Sequence, residues 1–72
     1  KDHKSILQEK LQAMKQQLPE YSLIRSEGNH NKSFIVQCSI KSGEIVTQAS
    51  GKTLRVAEQQ AASKALQAMQ ND

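Results

Sequence analysis

Ser33-Phe34-Ile35-Val36-Gln37-Cys38-Ser39-Ile40, followed by Lys41-Ser42-Gly43 and then Glu44-Ile45-Val46-Thr47-Gln48-Ala49, is the stretch on which the fold turns. Phe34, Val36, Cys38 and Ile40 share one face of an extended chain, while Ser33, Gln37 and Ser39 fall mainly on the other. That period of two marks a half-buried strand. Ile45, Thr47 and Ala49 alternate in the same way, and Lys41-Ser42-Gly43 is short enough to join the two runs as a hairpin. The pattern predicts strands over 33–40 and 44–49.

Working outward, Ser50-Gly51-Lys52 reads as a second turn, and the chain from Thr53 to Met69 is rich in Ala, Gln and Leu without Gly or Pro. A helix over 53–69 follows. Ala57, Ala61, Ala65 and Ala68 form one stripe of it, with Ala62, Leu66 and Met69 alongside. Such small side chains let a helix lie close against a sheet. In the other direction, Glu27-Gly28-Asn29-His30-Asn31-Lys32 has turn chemistry, since Gly and Asn tolerate positive φ. Before it, 21–26 reads as a strand. Ile6, Leu7, Leu11, Met14 and Leu18 recur at helical spacing, which predicts an amphipathic helix over 4–18. Asp2 is its candidate N-cap, and Pro19 is expected to end it. Asn71 and Asp72 are expected to fray.

The order is helix, three strands, helix. Short connections imply an antiparallel meander, and both apolar helix stripes need the same sheet face. The expected fold class is therefore α+β: an α-β-β-β-α domain over 1–72, with a three-stranded antiparallel sheet and two helices packed on one face.

Composition narrows the function classes. Lys plus Arg number 10 against 7 Asp plus Glu, a net charge of +3, which suits a polyanionic partner without requiring one. The single cysteine, Cys38, excludes an intrachain disulfide and a multi-cysteine zinc site, and suits a reducing, cytoplasmic setting. On the apolar side of its strand, Cys38 reads as core packing. No run approaches the ~18 apolar residues of a membrane helix. The first residue is Lys rather than Met, so a piece of a longer protein is expected. Tyr21 and Phe34 are the only aromatics, too few for a base-stacking module, and the Gly-x-x-Gly of a KH domain is absent.

Five motifs in order carry a resemblance. They are Lys1-Asp2-His3-Lys4-Ser5-Ile6-Leu7-Gln8-Glu9, Leu18-Pro19-Glu20-Tyr21, Glu27-Gly28-Asn29-His30, Phe34, and Ala57-Glu58-Gln59-Gln60-Ala61-Ala62 with Ala65-Leu66. Over nearly its whole length the chain resembles the double-stranded-RNA-binding domain family, and most of all the C-terminal domain of bacterial ribonuclease III. Each motif alone is common; the five together, at this spacing, are specific.

The resemblance implies three RNA-contacting regions. Ser5, Gln8, Glu9 and Gln12 match positions that meet 2′-hydroxyls and base edges in one minor groove. Asn29 and His30 match positions that enter the next minor groove. Thr53, Leu54, Arg55 and Glu58 match positions that hold phosphates between the two. The residue chemistry agrees. Ser5, Gln8, Glu9 and Gln12 fall at i, i+3, i+4 and i+7, one helix face, distinct from that of Leu7, Leu11, Met14 and Leu18. A-form RNA displays its 2′-hydroxyls in a wide, shallow minor groove, which short polar side chains on a rigid helix can read. Gly51-Lys52-Thr53-Leu54-Arg55 supplies a helix N-terminus with flanking cations, suited to phosphate.

There are departures from the family pattern. Leu54 stands where the family usually has the first of two or three lysines, which removes a phosphate contact; Lys52, Lys32 and Lys64 are candidates to compensate. The loop lacks the proline of Gly-Pro and is one residue shorter. An affinity below that of a fully lysine-armed member is expected. Plainer readings exist: Gln8, Glu9 and Gln12 as an ordinary wet helix face, His30 as a turn residue, and Arg55 as an exposed cation pairing with Glu58 or Gln59. Two rival functions are a protein-interaction domain of the same fold, which exposed Leu54 would suit, and an enzyme. Against the enzyme, no clustered carboxylates are visible, and metal-dependent RNA cleavage needs them for Mg²⁺. The expected partner is double-stranded RNA, with no membrane or small-molecule substrate and no cofactor in this piece. A ribonuclease III parent would keep its Mg²⁺ in an upstream catalytic domain and act as a homodimer, the isolated piece being a monomer.

Overall fold

A computed structural model describes residues 2–71 of the chain. Lys1, which opens the first quoted motif, and Asp72, expected to fray, lie outside the described residues.

The first helix, α1, spans His3–Ala13. Asp2 caps it as expected: its carboxylate accepts the Ser5 amide at 2.7 Å. The helix does not reach Leu18. Lys15 adopts a left-handed backbone, φ 59°. Its amide donates to the Gln12 carbonyl at 3.0 Å and the Gln16 amide donates to the Leu11 carbonyl at 2.8 Å. These two bonds form the Schellman closure, built here on lysine where glycine is usual. Met14 and Leu18, expected on the apolar stripe, are therefore exposed, at 46% and 56%.

Strands β1 (Glu20–Glu27), β2 (Ser33–Ile40) and β3 (Ile45–Gly51) form an antiparallel sheet in the order β1-β2-β3. β2 has the expected limits. β1 is one residue longer at each end than expected, and β3 runs 45–51 rather than 44–49 because Ser50 and Gly51 still pair with Ile35 and Phe34. Tyr21, Cys38 and Thr47 lie abreast on the inner face. A bulge at Ile24 shifts the β1 register between Leu23 and Arg25. Ile35, across from Arg25 and Ser50, is buried at 9% although its neighbours in sequence alternate to the other face.

The second helix, α2, spans Leu54–Gln70. Thr53 is its N-cap rather than its first residue: the hydroxyl accepts the Val56 amide at 3.1 Å. Among the described residues, one cluster holds most of the buried core. Leu7 and Leu11 meet Cys38, Ile40 and Ala49 of the sheet and Ala61, Ala62, Ala65 and Leu66 of α2. The small residues act as expected. Thr47 Oγ1 reaches across to donate to the Ala61 carbonyl at 2.8 Å. A Cβ on Gly51 would stand 2.5 Å from the Ala57 amide nitrogen, so the end of β3 and the first turn of α2 approach as only glycine permits.

Candidate nucleic-acid interface

Helix α1 turns two different faces outward and inward. Leu7 and Leu11 are fully buried, while Ser5, Gln8, Glu9 and Gln12 are all exposed. The four polar positions predicted to share a face do so, because the 3.6-residue turn brings them into register once the leucines dock.

Between β1 and β2, Gly28 holds φ 92°, and a Cβ there would stand 2.4 Å from the Asn31 carbonyl oxygen. The loop can close this tightly only with glycine at 28. It presents Asn29, His30, Asn31 and Lys32, all exposed. These four, with Phe34 and Lys52, line one open depression. The sheet register explains the meeting: Phe34 pairs with Gly51, so the residues just before β2 lie beside those just after β3. Phe34, expected in the core, is only half-buried and forms part of this wall.

At the start of α2, Lys52, Thr53, Leu54 and Arg55 are exposed. The first amides of any α-helix lack partners within the helix, and Thr53 takes that of Val56. Arg55 faces α1: with Asp2, Ser5, Gln8 and Glu58 it lines a second depression, between the two helix N-termini. The Asp2 carboxyl is held below the usual carboxylate range, chiefly by the Ser5 amide, then by the Ser5 hydroxyl, with Gln59 and the Arg55 charge adding to it.

Glu58 is placed differently from the simplest expectation. It pairs with neither Arg55 nor a free cation of the loop. Its carboxylate accepts from Lys4 Nζ at 2.7 Å, and the neighbouring Gln59 Oε1 accepts from the Lys4 amide at 3.2 Å. The Lys4 ammonium also lies 4.9 Å from the centre of the Tyr21 ring. Lys4 is the residue that sequence reasoning missed, because its partners are 54 and 55 positions away and no local pattern connects them. Lys64, a candidate phosphate cation, instead donates to the Gln48 carbonyl of β3 at 2.8 Å. Beneath Lys4, burial pushes the Tyr21 phenol well above its usual range and the Cys38 thiol beside it adds to the shift. Burial raises Cys38 as well, which suits packing rather than reactivity.

The three regions thus meet in two depressions, one joining the start of the α1 face to Arg55 and one joining Lys52 to the 28–32 loop, with the α2 entry between them. Among the described residues, no three His, Cys, Asp or Glu side chains gather as a metal site. Nor is any helix among them long and apolar enough to cross a membrane.

The family model described as double-stranded RNA binding motif matches residues 3–69. A protein named ribonuclease 3 from Thiobacillus denitrificans is 45% identical over 71 residues, covering 97% of this chain and 31% of the relative. Ribonuclease 3 of Idiomarina loihiensis is 44% identical with the same coverage. The chain therefore spans about a third of the length of these curated relatives. Among solved structures, that of Arabidopsis HYL1, described with its implications for miRNA processing, superposes with a TM-score of 0.79 at 30% identity, over 93% of this chain and 94% of that one. A solution structure of both such domains of DRB4 with their linker gives 0.74 at 28% identity, over 97% and 45%.

Proposed function

Because the chain belongs to the double-stranded RNA binding motif family, we propose that it binds RNA duplexes by shape and performs no chemistry itself. The observation that carries this reading is the pair of depressions flanking the α2 entry, in which Ser5 and Gln8 share one with Arg55, and Lys52 shares the other with the 28–32 loop. On a duplex, Ser5, Gln8, Glu9 and Gln12 meet 2′-hydroxyls in one minor groove. Asn29 and His30 enter the next, and Lys52, Thr53 and Arg55 hold the phosphates between. Such a domain covers ~16 base pairs. Lys32 sits at the loop end, and Glu58 acts through Lys4 in the wall of the depression between the two helices.

The ribonuclease 3 relatives, of which the chain spans about a third, support a longer parent of that kind; we read that parent as a Mg²⁺-dependent, dimeric endonuclease of the cytoplasm, with its catalytic domain in another part of the protein. This domain then positions the substrate. Purified alone, it should leave duplex RNA intact with added Mg²⁺, as followed on a denaturing gel.

The test is a titration against a duplex RNA of about 20 base pairs, the same sequence as duplex DNA, and single-stranded RNA, each at two salt concentrations. Duplex RNA should bind tightest, and Arg55→Ala should reduce the salt slope by about 1. Equal, weak binding to all three that vanishes with salt would sink the reading. A second reading, a protein-interaction domain of the same fold, rests on Leu54, which is 44% exposed at the phosphate-holding end. Leu54→Lys should tighten duplex-RNA binding; a variant that still fails to bind favours the second reading.

A further inference from the structure

We propose that Lys4 is a positioning residue: tied by Glu58 and Gln59, it fixes the separation of α1 and α2 that lets this interface prefer duplex RNA to duplex DNA. The inference rests on the duplex-RNA reading and adds to it the residues that set its selectivity.

The joint is built on both ends of one residue. The Lys4 amide, in the first turn of α1, is capped by Gln59 of α2 at 3.2 Å. The Lys4 ammonium donates to Glu58 at 2.7 Å, and it stands over Tyr21 of β1 at 4.9 Å. One lysine thereby links α1 to α2 and to the sheet. A single bond leaves a helix free to swivel; a backbone tie together with a side-chain tie does not. The ion pair is partly withdrawn from water, with side-chain exposures of 36% for Lys4 and 27% for Glu58. It is less screened than a pair on open surface.

Its place matters more than its strength. Lys4, Glu58 and Gln59 lie in the wall of the depression that has Ser5 and Gln8 on one side and Arg55 on the other. The first two are assigned to the minor groove and the third to phosphate. The distance across this joint is therefore the distance between two parts of the duplex that are read at once. A-form RNA has a wide, shallow minor groove, B-form DNA a narrow one, so a fixed spacing can suit only one of them. Pairing also accounts for an acid among phosphate-binding residues: the Glu58 charge is matched by the Lys4 ammonium.

The ratio of affinities for duplex RNA and same-sequence duplex DNA, measured at one salt concentration and well below each variant's melting temperature, tests this. Glu58→Gln should raise binding to both duplexes while lowering the ratio about fivefold, the size of coupling between residues in contact. Lys4→Met should lower the ratio by a similar factor. The double variant should fall no further than either single one, and Lys4→Arg should keep the ratio. If Glu58→Gln strengthens both duplexes, Lys4→Met weakens both, and the ratio holds, the pair is merely local charge and the proposal fails while duplex-RNA binding stands. A lowered melting temperature with an unchanged ratio likewise reduces it to a fold contact. If the unmodified chain binds both duplexes alike, the duplex-RNA reading falls and the joint with it.

Discussion

Helix α2 gives the core Ala57, Ala61, Ala62, Ala65 and Leu66, mostly single methyl groups, whereas α1 gives Leu7 and Leu11, both completely enclosed. The first is held by closeness. Its backbone lies near enough to β3 for a threonine hydroxyl to reach a helix carbonyl, and for a glycine hydrogen to be all that fits at Gly51. The second is held at arm's length by two large side chains, and steered by Lys4. The difference shows how the two sides of the interface are made. The end proposed to hold phosphates belongs to the element with the least freedom to shift. The face proposed to enter the minor groove belongs to the one whose position depends on a few replaceable contacts.

The strongest way to break that comparison is Leu7→Ala, which should destabilise the fold by about 3 kcal/mol in urea denaturation, as large-to-small changes in packed cores do. A loss under about 1 kcal/mol would mean that α1 is anchored elsewhere. The reverse change on the other helix, Ala61→Leu, should cost about 2 kcal/mol by overpacking, and should release the Thr47 hydroxyl, visible as a shift of its methyl resonance. A neutral outcome would remove the argument from closeness. Lys15→Gly should stabilise the chain by about 1 kcal/mol, since lysine bears a left-handed cost that glycine avoids; an unchanged midpoint would show that the helix end is indifferent to its closure.

The smallest effect is at Asp2. Its pKa is lowered by the amide that it caps, so its contribution to α1 is complete above the unperturbed carboxyl value of about 3.9. It fades as pH falls through the lower folded value. Asp2→Asn keeps the acceptor and removes the titration. It should flatten the acid limb of a helicity-against-pH curve, while leaving neutral-pH helicity in place.

What the sequence revealed and concealed follows the range of the forces involved. β2 was legible to the residue because its alternation is local and uninterrupted. The shared face of Ser5, Gln8, Glu9 and Gln12 was legible because helical phase is fixed by counting. The end of α1 was not: Met14 and Leu18 continue the apolar spacing, Pro19 offers an obvious stop, and nothing local says that Lys15 will turn left-handed first. The pairing of Glu58 was hidden for the opposite reason. It depends on how two distant helices dock, so Arg55, three positions away, looked the better partner.

Cys38 has a use that none of this needed. It is the only thiol in the sequence, it has no exposed surface, and burial raises its pKa. A thiol reagent can reach it only while the sheet and helices are apart. The rate of alkylation is then a clock of the protein's own breathing, counting excursions far too rare for melting curves to register. Any substitution that loosens either helix should quicken that clock before it alters the average structure.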